Sequence, residues 1–101
     1  MMENTRIRTH PGEVLLDEFM RPLGLSANAL ARELHVPPNR ITAIVAADAP
    51  RAVSPDTALR LSRYFGTSPE FWMNLQAAYD LSKACAESAE RIAGEVRPRA
   101  A

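Results

Sequence analysis

The chain has 101 residues, enough for one domain, and its formal net charge at pH 7 is zero, so no overall basic charge favours nucleic-acid binding. No apolar run approaches the roughly 20 residues that a membrane-spanning helix needs, and no signal-peptide pattern opens the chain, so we expect a cytoplasmic protein. The single cysteine, Cys85, excludes an internal disulfide.

Five helices are predicted in chain order, after an amino-terminal arm of residues 1–8. They cover about residues 11–20, 27–34, 38–47, 55–65 and 69–96. No stretch shows the alternation of a strand, so we expect an all-α fold. We divide the chain into the arm, a domain over residues 9–80, and a carboxy-terminal helical extension over residues 81–101.

Proline and serine mark the beginnings of these helices. Four prolines precede apolar patterns of helical period, at a position where a missing N–H costs nothing: Pro11, Pro38, Pro55 and Pro69. Ser54 and Ser68 stand directly before two of these prolines and are predicted N-caps. Ser26 is the predicted N-cap of helix two.

The apolar positions on each helix predict the core. In helix one we expect burial of Val14, Leu15, Phe19 and the following Leu23, and in helix two of Leu30, Ala31 and Leu34. In helix four the expected buried residues are Ala58, Leu59, Leu61 and Tyr64 or Phe65. In helix five they are Phe71, Trp72, Leu75 and Tyr79. For the last set, a partner-binding surface is the alternative interpretation.

Residues 26–47 carry the features of a helix-turn-helix. Ala31 is small where two helices must cross closely, and a short turn follows helix two. His35 occupies the turn position where a left-handed glycine is usual, and histidine is among the residues that tolerate this conformation. Ile41 and Ile44 are the expected anchors of the second helix.

The outward face of helix three is short and largely uncharged, as expected for a helix that contacts base edges. At 100° per residue, its members are Asn39, Arg40, Thr42, Ala43 and Ala46. Asn39 can pair with adenine, Arg40 can pair with guanine or phosphate, and Ala43 can approach a thymine methyl group. Ser26 and Asn28, at the start of helix two, are expected to face a phosphate. The alternative is a helical hairpin inside a protein-interaction module.

Four sequence strings carry a family resemblance: THPGE at 9–13, PLGLS at 22–26, DTALRL at 56–61 and GTSPEFWMNLQ at 66–76. Through them residues 9–81 resemble HigA-type antitoxins, which are Xre-like helix-turn-helix proteins of bacterial toxin–antitoxin modules. The resemblance implies a five-helix, lambda-repressor-like domain with an extended carboxy-terminal helix.

The resemblance also implies a function. It implies a dimeric bacterial repressor of its own operon that binds and neutralises a RelE-like messenger-RNA endonuclease. It further implies that the loop after helix three, including Arg51, reaches the DNA backbone. A stand-alone Xre-family regulator without a toxin partner is the alternative.

An apolar stripe along helix five predicts a homodimer. Its members are Leu81, Cys85, Ala89, Ile92 and Val96. Two recognition helices about one turn of DNA (~34 Å) apart would read palindromic operator DNA. Local packing of the tail is the alternative.

No catalytic, cofactor or metal site is predicted. His10 and His35 are isolated, with no second ligand at a spacing that suits a metal. The sequence has neither a nucleophile motif nor a glycine-rich phosphate loop. We therefore expect a protein that is not an enzyme.

Overall fold

The computed structural model describes residues 6–100 and contains five helices. They are α1, made of the consecutive segments Pro11–Val14, Leu15–Met20 and Arg21–Leu23, then α2 (Ala27–Leu34), α3 (Pro38–Ile44), α4 (Pro55–Phe65) and α5 (Pro69–Glu95). The described part of the chain has no strand, so the predicted all-α fold is confirmed. Residues 1–5 of the predicted arm and residue 101 of the predicted extension lie outside the described residues.

Three helices begin at the serines that the sequence predicts as N-caps. Each hydroxyl oxygen accepts a hydrogen bond from the N–H three residues further on: Ser26 from Ala29 at 3.0 Å, Ser54 from Thr57 at 3.2 Å and Ser68 from Phe71 at 3.1 Å. These bonds satisfy N–H groups that have no partner inside the helix. The starts of α2, α4 and α5 are therefore fixed by local sequence.

Helix α1 continues beyond its predicted end because its middle segment is π-helical. The N–H of Arg21 donates to the carbonyl five residues before it. This wider turn gives room for Pro22, whose ring would otherwise strike the carbonyl four residues back. The chain then turns at Gly24 (φ 65°) and brings Leu25 to the core. The predicted burial of Leu23 is wrong, since this side chain is 64 % exposed.

The core lies between the five helices. Its buried hydrophobic residues are Leu15, Met20, Leu30, Ala31, Leu34, Ile41, Ile44, Val53, Ala58, Leu61 and Trp72. The prediction for Leu59 is wrong, because this residue is 58 % exposed. It lies about 100° around α4 from Ala58, whereas Leu61 lies about 60° from Ala58 on the other side.

His10 joins the start of α1 to α5. Its Nδ1 accepts a hydrogen bond of 2.9 Å from the N–H of Gly12, so the ring is the N-cap of α1. The ring packs edge-on against Tyr79, with 4.7 Å between the centroids. Burial lowers the pKa of His10, and the nearby carboxylates of Asp80 and Glu13 oppose this shift. The neutral ring that the cap requires is therefore favoured in the folded protein.

The second half of α5 extends past the core, and the molecule is elongated, with extents of 53 × 27 × 21 Å. Four members of the predicted stripe are exposed: Leu81, Ala89, Ile92 and Val96. Cys85 is half-buried. The helix ends at Glu95, with Val96 as its C-cap. An apolar stripe is thus presented to solvent on a regular helix.

Candidate nucleic-acid interface

Helices α2 and α3 form the predicted helix-turn-helix. Ala31 is fully buried where the two helices meet, and the N–H of Val36 donates to its carbonyl at 3.0 Å. His35 ends α2 in the left-handed conformation, with φ 59° and ψ 46°. Ile41 and Ile44 of α3 are buried, as predicted. The prediction for the turn at His35 is confirmed.

The structure brings five of the predicted contact residues to one groove of about 550 Å³. Asn39, Arg40, Thr42 and Ala43 come from α3, and Arg51 comes from the loop that follows it. The loop is held there because the N–H of Arg51 donates to the carbonyl of Ala43 at 2.9 Å. One face of α3 and a loop arginine thus form a single polar surface.

Ala46 is not part of this surface, because α3 is shorter than predicted. The helix ends at Ile44, and Val45 already departs from helical geometry with φ −90° and ψ 3°. One more turn would need the carbonyl of Ala43 as its acceptor, but Arg51 occupies that carbonyl. Ala46 instead lines a separate depression beside α1. The predicted end of helix three at residue 47 is wrong.

The two residues predicted at the start of α2 do not line this groove. The hydroxyl of Ser26 is exposed and engaged as an N-cap. Asn28 lines a depression of about 390 Å³ together with Arg32 of α2 and Pro38 of α3. A phosphate that contacts the start of α2 would therefore be close to the first turn of α3.

A network of three charged residues, not found in the sequence analysis, connects α3 to α4. The Oδ2 atom of Asp56 accepts hydrogen bonds from Nη1 of Arg40 at 2.6 Å and from Nε of Arg60 at 2.9 Å. Arg60 also donates to the carbonyl of Leu34, the last residue of α2, at 2.9 Å. Hydrogen bonds from Arg60 and Arg40 hold the pKa of the Asp56 carboxyl below its ordinary value. We refer to these residues as the Arg40–Asp56–Arg60 network.

Comparison with known proteins agrees with this geometry. A family model described as helix-turn-helix matches residues 16–72, which is more than half of the chain. The chain belongs to the Xre-like helix-turn-helix family. Proteins of this family are DNA-binding antitoxins and transcription regulators, a non-enzymatic kind of protein.

Individual members of the helix-turn-helix family are similar over most of the chain. Virulence-associated protein I of Dichelobacter nodosus is 55 % identical over 75 residues, which cover 74 % of this chain and 68 % of that protein. The structure of Pseudomonas aeruginosa antitoxin HigA with the higBA promoter is 44 % identical, with a TM-score of 0.84, and the match covers 91 % of this chain and 98 % of that one. The structure of antitoxin GraA in complex with its operator is 42 % identical, with a TM-score of 0.89, and both chains are fully covered.

Gln76 is a further residue that the sequence analysis missed, although the family string at 66–76 ends on it. Its buried side chain accepts a hydrogen bond of 2.7 Å from the N–H of Val53 and donates one of 2.9 Å to Asp80. Val53 closes the loop that carries Arg51. In this helix-turn-helix protein, α5 therefore holds the groove loop in place.

Residues 6–100 contain no group of three or more histidine, cysteine, aspartate or glutamate side chains that could hold a metal ion. None of their helices is long and apolar enough to cross a membrane.

Proposed function

We propose that this protein is a DNA-binding antitoxin that represses its own operon by placing α3 in the major groove of a palindromic operator. The observation that carries the proposal is the groove in which Asn39, Arg40 and Arg51 lie side by side. The relatives solved with promoter or operator DNA support it, because they share the fold over almost the whole chain.

The chemistry of each residue in the groove suits a particular contact with DNA. Asn39 has an amide that can pair with adenine, and Arg40 has a guanidinium that can pair with guanine. The small side chains of Thr42 and Ala43 allow close approach to base edges. Arg51 is suited to a phosphate, since it comes from a loop beside the helix. Ser26 and Asn28 are proposed phosphate contacts at the start of α2, whereas Ala46 leaves the set.

The first prediction tests the placement of α3. We expect Asn39→Ala to weaken binding to the upstream operator fragment by about 1–3 kcal/mol, because one base contact is lost. The dissociation constant is measured by fluorescence anisotropy at several salt concentrations, since phosphate contacts make the affinity fall as salt rises. Asn74→Ala is the matched control, as Asn74 is an exposed asparagine on α5. Equal affinities of the two variants would contradict the placement.

We further propose a homodimer in which the α5 stripe of one protomer packs on that of its partner. Ile92 is 47 % exposed and Leu81 is 65 % exposed, on a helix that extends beyond the core. Apolar side chains aligned on one helix face in this way favour a partner helix. Dimerisation would give the protein the two-fold symmetry that a palindromic operator requires.

The second prediction tests this stripe. We expect Ile92→Asp to convert the dimer to a monomer at micromolar concentration, because a carboxylate buried against apolar side chains is strongly unfavourable. Light scattering after size-exclusion chromatography measures the mass. Gly94→Asp adds the same charge on the opposite side of the helix, where a side chain meets no atom within 4 Å, and should remain dimeric. A dimeric Ile92→Asp variant would place the interface elsewhere.

The antitoxin role includes a RelE-like toxin as the second partner. The resemblance of residues 9–81 to HigA-type antitoxins supports this part of the proposal. Co-expression with the adjacent reading frame and co-purification of the two products is the test. A neighbouring small basic protein that binds this chain is the expected result. Its absence would favour the stand-alone regulator.

A further inference from the structure

We propose that Asp56 is a positioning residue that holds Arg40 ready for base recognition and thereby contributes to operator specificity. The inference rests on the proposed DNA-binding function. Asp56 belongs to α4 and lies outside the groove of proposed base contacts. We infer that it nevertheless influences which DNA sequence is bound.

The Arg40–Asp56–Arg60 network connects three helices through one carboxylate. Asp56 lies in the first turn of α4, and its Oδ2 atom accepts from both arginines. Arg60 is one turn further along α4 and is itself fixed to the carbonyl of Leu34 at the end of α2. The carboxylate is therefore held by a residue that connects α4 to α2. From that fixed position the carboxylate of Asp56 restrains the guanidinium of Arg40 on α3.

The contact leaves Arg40 able to bind a second group. Within residues 6–100, the hydrogen bond to Asp56 uses only Nη1 of Arg40, and the side chain remains 38 % exposed beside the groove. An arginine presents five N–H donors in a planar fork, so the remaining donors can still pair with a guanine edge. A side chain that is already oriented loses less rotamer freedom on binding.

The network is poorly explained by a contribution to stability alone. Both ion pairs are exposed, with 56 % of the Asp56 side chain accessible, and exposed pairs contribute little to folding. Asp56 also adds a negative charge beside Arg40, at the edge of the proposed DNA-binding surface, which opposes binding to any DNA sequence. The two effects of Asp56 can therefore be measured separately. Its positioning of Arg40 raises the preference for the operator, whereas its charge lowers the affinity for all DNA.

The experiment measures affinities of the full-length protein for the operator and for a scrambled duplex of equal length. We expect Asp56→Ala to lower the ratio of the two affinities by about tenfold, within the range that one bidentate arginine–guanine contact provides. Glu33→Ala is the matched control, because Glu33 lines the same depression as Asp56 but forms no ion pair within residues 6–100. It should leave the ratio unchanged within about twofold.

A double-mutant cycle separates positioning from every other effect. In an Arg40→Ala background, Asp56→Ala should change the ratio by less than about twofold, because the residue it positions is gone. Asp56→Glu keeps the charge and the possibility of the contact, and should recover part of the lost ratio. It also provides a second variant if Asp56→Ala does not fold.

Three results would overturn the inference. They are an unchanged ratio in Asp56→Ala, an equal loss in Glu33→Ala, and an undiminished loss in the Arg40→Ala background. Each differs from failure of the proposed function, which would appear as a wild-type protein without preference for its operator. That last result would remove the proposed function and this inference together.

Discussion

Replacing Trp72 with alanine is expected to lower the free energy of unfolding by about 3–5 kcal/mol. The indole is fully buried, and its Nε1 donates to the hydroxyl of Thr67 at 2.8 Å. Its ring lies 5.1 Å from the ring of Phe19 in α1, so a single side chain joins α5 to α1. Since small domains are stable by only about 5–15 kcal/mol, this loss is a large fraction of the total.

Two variants separate the contributions of the indole. Trp72→Phe keeps most of the volume and removes the Nε1 donor, so we expect a smaller loss of about 1–3 kcal/mol. Phe71→Ala changes the neighbouring aromatic residue, which is 37 % exposed, and should cost less than Trp72→Ala. Urea denaturation followed by circular dichroism measures all three. A loss for Trp72→Ala no greater than that for Phe71→Ala would contradict the central position of the indole.

The starts of the helices could be predicted because they depend on neighbouring residues. Ser26, Ser54 and Ser68 each accept a hydrogen bond from an N–H three residues away. The left-handed conformation of His35 was likewise predictable, since a helix-turn-helix requires it at one position and the sequence places a tolerant residue there. Structural features whose interacting residues lie only a few positions apart can therefore be predicted from the sequence.

The end of α3 could not be predicted, because the bond that ends it joins residues on different segments. The carbonyl of Ala43 accepts from Arg51, eight residues later, and nothing between them indicates this pairing. The loop is then fixed by the bond between Val53 and Gln76, which are 23 residues apart. The periodic pattern of residues 38–47 suited a longer helix, and tertiary hydrogen bonds overrode it.

The Arg40–Asp56–Arg60 network illustrates the same limit at the candidate site. The pair of Asp56 and Arg60 was visible as an i, i+4 spacing on one helix. The pair of Arg40 and Asp56 spans 16 residues and depends on how α3 and α4 are placed relative to each other. The sequence therefore predicted which side chains of α3 face outward, but not which of them is already held by another helix.

At Gly12 the backbone of α1 lies close to the end of α3, the helix proposed to enter DNA. A Cβ atom at this position would lie 1.9 Å from the carbonyl oxygen of Ile44 and 2.8 Å from its carbonyl carbon. Ile44 is the last residue of α3, and both atoms belong to the backbone, so no side-chain rotation can relieve the overlap. Only glycine allows α1 to approach the end of α3 this closely.

Gly12→Ala is therefore expected to destabilise the protein by about 3 kcal/mol, the upper part of the usual range for overpacking, and to weaken operator binding because the end of α3 must move. Urea denaturation gives the first quantity, and anisotropy under conditions where the variant is folded gives the second. Gly94→Ala is the matched control. A Cβ there meets no atom within 4 Å, and alanine is favoured over glycine in a helix by about 1 kcal/mol, so this variant should be as stable as the wild type or more so. A Gly12→Ala protein with wild-type stability and operator affinity would show that α1 does not fix the position of α3.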